Sequence, residues 1–320
     1  MGMTLTGTQL FLVLKEQAVT VNLKWMEKAA DIYRQKVDAD TVARLDFFDK
    51  IWQIQADAEK KAAKENTYAL DNIDELEDQY WAQDAIFIAS PVSVDKALFA
   101  ATAREITAVI AESSGLDKTD SVLLASWDWD ALIAGADIAL AGSNPQEYLA
   151  LAAEAAQASV GEQASLVALI LSLALRPQLE PAARAINEAL ASRLTEDNLE
   201  HFHRTSCPVC GGEATLAYVG PVPSGPQNGR QLWCGQCGTL WEFERVRCPR
   251  CGSQLQTSLH YTSIEGDDEH RIYHCDVCHG YVRTVFSTGL GGVPFAPEVE
   301  DVVMVNLDAI AQSKGLGPRD

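Results

Sequence analysis

Cysteine and histidine are absent from the first 200 residues of this 320-residue chain, which removes thiol, imidazole and soft-metal chemistry from nearly two thirds of it. Positive charge is also short: 25 Lys and Arg stand against 45 Asp and Glu, a formal net charge of −20. Affinity for phosphate backbones and anionic lipid comes from clustered Lys and Arg, so neither a nucleic acid nor a membrane is expected as partner. The deficit is uneven, since residues 201–320 carry 9 basic and 13 acidic residues and leave −16 to the first 200. That acidic part reads as a solvated helical surface. Long apolar runs are missing too. The longest, Ala164 to Leu175, has 12 residues including Ser165 and Ser172, where a membrane span needs about 20, so it reads as a buried helix. The Leu10–Leu14 run is five residues long and follows no basic segment, which argues against a secretory leader. Met1-Gly2 with Thr6 matches a loose myristoylation pattern that is put down to chance. The chain is expected to be soluble and cytoplasmic. No phosphate-binding Gly loop, H-E-x-x-H or G-x-S-x-G occurs, and no enzyme activity is expected.

At 47% apolar residues, the chain has enough material for a buried core. Residues 1–200 read as an all-α domain. Val42, Leu45, Phe48, Ile51, Trp52 and Gln55 follow helical spacing behind a cap at Asp40-Thr41. Pro91 and Ser93 are expected to open a helix holding Ala97, Ala101, Ile106 and Ile110, and Asn144-Pro145 to open an Ala/Leu-rich one interrupted near Gly161. Pro177 and Pro181 are expected to end the next helix, with Ala182 to Leu194 resuming the pattern. The Trp127/Trp129 and Tyr80/Trp81 pairs read as core. After His201 the texture turns to Gly, Pro and short alternating segments such as Trp241 to Arg247, a signal for strands. Pro221 to Gly229 reads as a hairpin loop, and roughly Glu298 to Ser313 as one last helix ended by Gly315. The division is therefore 1–200 helical, 201–290 metal-ribbon region, and 291–320 a tail with a short helix.

All eight cysteines fall in four C-x-x-C pairs: Cys207/Cys210, Cys234/Cys237, Cys248/Cys251 and Cys275/Cys278. Shifting the first two pairs by 41 positions lands on the last two, an internal repeat that also aligns Pro208 with Pro249 and Gly211 with Gly252. Two thiolates separated by two residues face one ion when the backbone makes a tight knuckle, and a following glycine tolerates the left-handed turn. Gly211, Gly238 and Gly252 hold that place, and His279 takes it in the fourth pair. Two knuckles supply four sulfurs, a tetrahedral set suited to zinc or iron with no open position for a substrate. Disulfides need an oxidising compartment, a thioredoxin-like pair needs only one C-x-x-C, and Fe–S clusters use less regular spacings. Two metal ions are therefore expected. Local pairing, Cys207/Cys210/Cys234/Cys237 and Cys248/Cys251/Cys275/Cys278, is the simplest, with a cross-braced arrangement left open. His274 and His279 flank the last pair and read as strand-end side chains; Arg245, Arg247 and Arg250 read as surface ion-pair partners of Glu242 and Glu244.

The segments Ser206 to Gly212, Gly229 to Cys237, Trp241, Val246 to Cys251, Leu259-His260-Tyr261, His274 to Cys278 and Tyr281-Val282 together resemble the FdhE family of formate dehydrogenase accessory proteins. The likeness runs from about Ser206 to Val285. The tail differs, with Glu300-Asp301-Val302-Val303 in place of the family's A-D-D-L stretch. The resemblance implies an α+β protein: an all-α helical N-terminal domain followed by two tandem rubredoxin-like/zinc-ribbon metal-binding folds. It implies a maturation factor or chaperone that binds the catalytic subunit of formate dehydrogenase, with metal held by the eight cysteines, iron first and zinc as the alternative. The knuckles alone leave two further readings: a one-electron redox protein with rubredoxin-like iron, and a zinc-ribbon interaction or nucleic-acid-binding protein.

Overall fold

In a computed structural model of the chain, residues 23–317 are described apart from 66–67, 69, 71, 83, 114–117, 192, 194–203, 223–224, 288–289 and 291. The Leu10–Leu14 run, the Met1-Gly2-Thr6 pattern, Leu194 and the change of texture at His201 lie outside the described residues.

Helices come first. α1 (Leu23–Arg34) and α2 (Ala39–Glu65) pack as neighbours, followed by α3 (Ile73–Trp81), α4 (Ile86–Ala89), α5 (Lys96–Ala111), α6 (Lys118–Ala125), α7 (Trp129–Ile133), α8 (Ile138–Ser143), α9 (Pro145–Val160) and α10 (Ala164–Leu190). Start signals are local. Asp38, not Asp40-Thr41, caps α2, its carboxylate accepting from Thr41 N at 2.9 Å and Thr41 Oγ1 at 3.0 Å. Asp95 caps α5 through the N–H groups of Ala97 and Leu98, so Pro91 and Ser93 belong to an extended lead-in. Asn144 caps α9 ahead of Pro145, and Gly161, at φ +56°, ends it. Trp129 and Tyr80 are core, with Trp127 and Trp81 packed edge-on beside them.

The central helix α10 overturns the expected break. It runs unbroken through Pro177 and Pro181. A proline has no N–H for the carbonyl four residues back, so Pro177 orphans Leu173 O. Gln55 of α2 repairs this, its Nε2 donating to Leu173 O at 2.9 Å. Leaving that acceptor bare would cost about 1–3 kcal/mol. Among the described residues α10 is the one helix long and apolar enough to cross a membrane, and 67% of its most apolar window is buried inside the fold as core.

The sulfur-rich region forms one sheet. β1 (Leu216–Val222), β2 (Gly225–Trp233) and β3 (Leu240–Phe243) make one antiparallel meander; β4 (Leu259–Ser263), β5 (His270–Cys275) and β6 (Tyr281–Phe286) make the other. They join through parallel pairing of β1 with β6, Leu216 opposite Arg283 to Val219 opposite Phe286, giving the order β3-β2-β1-β6-β5-β4. The first strand of one copy thus meets the third strand of the other, a head-to-tail union. The expected loop at Pro221–Gly229 is mostly strand, its register shifting between Pro221 and Val222. Pro221 lies beyond the last β1–β6 pair, where a missing N–H breaks no ladder on that side. Of the Trp241–Arg247 stretch only the part to Phe243 is strand.

The tail folds back as two helices, α11 (Pro297–Val303) and α12 (Val305–Ser313); at buried Met304 between them the N–H still reaches Glu300 O, but ψ of 2° leaves its carbonyl to accept from Leu307 N three residues on. It shares a core with α1 and the sheet through Met26, Tyr33, Trp233, Ile272, Val299 and Leu307.

Candidate metal centres

Each C-x-x-C closes with the same two backbone bonds. The first cysteine donates its N–H to the carbonyl five residues on and accepts from the N–H four residues on: Cys207 N to Gly212 O at 2.7 Å with Gly211 N to Cys207 O at 3.0 Å. Cys234, Cys248 and Cys275 repeat it with Thr239/Gly238, Ser253/Gly252 and Gly280/His279. The turn requires positive φ at its fifth residue, and Gly211, Gly238, Gly252 and His279 have φ of 79°, 77°, 73° and 56°. His279 is the sole non-glycine at positive φ among the described residues, held there by its knuckle and by Gly317 N donating to its carbonyl.

The fold gathers the sulfurs into two quartets, Cys207/Cys210/Cys234/Cys237 and Cys248/Cys251/Cys275/Cys278, with all ligand atoms of each within 4.8 Å of one another. Edges of these quartets are 3.6 Å (Cys207–Cys237), 3.4 Å (Cys210–Cys234), 3.7 Å (Cys248–Cys278) and 3.9 Å (Cys251–Cys275). Disulfides would bring sulfurs to about 2.0 Å. Four thiolates at about 2.3 Å from a tetrahedral ion would stand about 3.8 Å apart. The donor set and its dimensions therefore fit an ion, and each quartet could hold one. Burial raises the thiol of Cys207, yet hydrogen bonds from Cys210, Cys234 and Cys237 hold it well below the usual range. Hydrogen bonds with Cys207, Cys234 and Cys237, and then burial, push the Cys210 thiol up. Such a cluster ionises fully only when a cation compensates it.

The two quartets sit in different surroundings. The helices cover the first: Ile86 N and Phe87 N of α4 donate to Pro208 O and Val209 O at 3.0 and 2.9 Å. Ser172 of α10 bonds the Gln236 side chain twice, at 2.7 and 3.3 Å. All four of its cysteines are buried. In the second, Cys251 is exposed and Cys278 half-buried. Three backbone N–H groups point at its sulfurs: Arg250 N and Cys251 N at Cys248, and Gly280 N at Cys278, at 3.3–3.5 Å. Cys251 and Cys278 border a cleft of about 780 Å³ between helices, sheet and tail, lined also by Trp52, Arg176, Glu213, Arg250 and Tyr281.

Neither His274 nor His279 belongs to a quartet. His274 Nε2 meets Thr262 Oγ1 at 3.3 Å, and His260 Nε2 meets Asp276 at 2.9 Å. The arginine stretch is internally engaged: Arg247 with Glu244 and the Gly252 carbonyl, Arg250 with Glu213 and the Tyr281 carbonyl. Sequence reasoning missed two buried polar clusters. In one, Tyr33 of α1 and His270 of β5 converge on fully buried Glu300 of α11, Tyr33 Oη donating at 2.9 Å and His270 Nε2 lying 3.0 Å away, with Asp267 at 3.1 Å from Nδ1. In the other, Arg176 of α10 pairs with Glu180 and Glu298. Their members lie up to 267 residues apart, and no local spacing announces them.

Over 118 residues the chain is 30% identical to the protein FdhE homolog of Aquifex aeolicus, covering 36% of this chain and 40% of that one. It is 29% identical over 133 residues to the homolog of Rhizobium meliloti, covering 40% and 42%, and 27% identical over 121 residues to that of Shewanella baltica, covering 38% of each. The relatives it matches here are FdhE homologs. The matched part spans about two fifths of the length of these FdhE relatives. The fold agrees over a wider range: the crystal structure of the FdhE protein from Pseudomonas aeruginosa superposes with a TM-score of 0.55 at 14% identity, covering 93% of this chain and 92% of that one. No family model matches. The expected α+β plan, helices ahead of two Cys₄ modules, stands as an FdhE-like fold with a rubredoxin-like pattern of paired knuckles.

Proposed function

We propose that this chain is an accessory protein of formate dehydrogenase: a cytoplasmic maturation factor, without catalysis of its own, that binds the enzyme's catalytic subunit. In this reading Cys207, Cys210, Cys234 and Cys237 ligate one metal ion and Cys248, Cys251, Cys275 and Cys278 a second, iron first and zinc as the alternative. The observation that carries it is the pair of closed four-sulfur quartets, at tetrahedral spacing, in a chain whose relatives are FdhE proteins. A full complement of sulfurs leaves no open position for substrate, which favours a structural or electron-holding role over hydrolytic chemistry. The division into residues 1–200, 201–290 and 291–320 belongs to the same reading, and limited proteolysis would test it.

The deciding experiment pairs metal analysis of protein isolated from its own source with co-purification of the formate dehydrogenase catalytic subunit, and with enzyme activity in a strain lacking this chain. Two metal equivalents, a co-purifying subunit and lost activity are expected. Normal formate dehydrogenase activity in that strain rules the accessory role out. The exposure of Cys251 favours one second reading, one-electron transfer by Cys₄ iron. A reversible bleaching of the ferric absorption on reduction would support it, and colourless zinc-loaded native protein would count against it.

A further inference from the structure

The 41-residue repeat supplies the same sulfurs twice, yet the union of the copies is head to tail. A symmetric pairing would give both centres one environment; a heterologous one does not. The copy whose β1 edge is used turns its knuckles toward α4 and α10, whereas the other copy meets the tail, with α12 against β5 and β6 and Gly317 N donating to the His279 carbonyl. The cover over the first quartet is specific. The N–H groups of Ile86 and Phe87 bind the carbonyls inside knuckle one. Gln236, inside knuckle two, is clamped by Ser172, and a side chain on Gly238 would stand 3.2 Å from Glu180. Asn187 Nδ2 reaches Thr239 Oγ1 at 3.3 Å, and that hydroxyl lies 3.2 Å from the Cys237 sulfur. All four cysteines of this quartet are buried behind these contacts, and of knuckle two only Gly235 and Gln236 reach the cleft wall. At the second quartet two of four cysteines face outward, both in the wall of the large cleft. Val277, between the two cysteines of the last knuckle, is 51% exposed, so no element among the described residues closes over it.

We propose that the two centres are inequivalent in kind. The first is a locked fastener between helices and sheet, and the second is an exchangeable centre whose ion is open, through Cys251 and Cys278, to chelating or thiol-bearing acceptors that enter the cleft. This rests on the metal reading above. The locked centre opens only with the helix–sheet contact, a sub-global event; the open one needs no such motion.

The test uses the full chain loaded with two equivalents of zinc. The chelator 4-(2-pyridylazo)resorcinol is added in excess and zinc release followed by its absorbance, while iodoacetamide labelling of a parallel sample is mapped by mass spectrometry. One equivalent should leave quickly and the other at least about 100-fold more slowly, in line with a required opening. Label should appear first on Cys251, then Cys278. C251S should abolish the fast phase and keep the slow one. Because a cysteine variant can misfold, Gln236→Ala provides the converse: freeing knuckle two from Ser172 should speed the slow phase several-fold and leave the fast phase unchanged. Two equivalents leaving at one rate, or Cys207–Cys237 labelling ahead of Cys251, would overturn the proposal while leaving metal binding intact. A folded chain that takes up no zinc or iron would overturn the metal reading itself, and the inequivalence with it.

Discussion

Raising the pH should loosen the seam between α1, β5 and the tail, and His270 is the group that sets the effect. Burial alone pushes its imidazole down, but hydrogen bonds and charge from Asp267 and Glu300 override this and carry it from 6.5 up to about 10. Tyr33 and Glu269 complete the surroundings, and Lys36 lies 3.8 Å from Glu269. A group held protonated by the fold stabilises fully below its unfolded value near pH 6.5 and loses that contribution as the pH climbs toward 10. At 1.36 kcal/mol per pH unit the ceiling is about 5 kcal/mol. Burial of fully enclosed Glu300 raises its own proton affinity and takes back part of this, so about 2–3 kcal/mol should be lost between pH 6.5 and 9. The assay is urea unfolding of the metal-loaded protein at pH 6.5, 7.5, 8.5 and 9, beside the double variant His270→Gln/Glu300→Gln. The two glutamines keep polar contacts and remove both charges. The gap between the two proteins should shrink steadily as pH rises. A gap that stays constant would show that no proton is held at His270 and refute the reasoning.

Three other outcomes follow from particular contacts. Gln55→Leu, which leaves Leu173 O beside Pro177 without a donor, should lower unfolding free energy by about 1–3 kcal/mol in urea. His279→Gly should relieve a left-handed backbone and raise the midpoint of thermal unfolding, by about 1 kcal/mol in stability, whereas Gly211→Ala at φ +79° should lower it comparably. Arg176→Met strips the partner from Glu180 and Glu298 and should cost about 3–5 kcal/mol, read by chemical denaturation at neutral pH. In that variant Glu180, which burial already pushes up to about 7 against the pull of Arg176, should take up a proton and make stability fall further as pH rises.

Much of the candidate site was legible because its rule is local. A C-x-x-C followed by glycine encodes its own turn at three of the four pairs, with His279 in the fourth, and two such turns repeated after 41 residues encode two modules whatever surrounds them. Helix starts at Asn144 and stops at Gly161 were legible for the same reason. Pro177 was misleading, since the rule that prolines end helices assumes an orphaned carbonyl, and Gln55 from another helix removes that assumption; nothing in the sequence marks Pro181 as tolerated either. The tail helix divides at Met304, where ψ of 2° turns the backbone, and no glycine or proline between Glu298 and Ser313 signals it.

By itself the amino-acid order determined the eight sulfurs, their knuckles and the acidic helical half, because backbone turns and composition depend only on near neighbours. Only the tertiary structure decided how the two copies join. Parallel pairing of β1 with β6 brings together strands that begin at Leu216 and Tyr281, a contact that the sheet edge permits and no spacing specifies. That one union turns one copy's sulfurs toward the helices and leaves the other's at the cleft, so identical motifs acquire unequal surroundings.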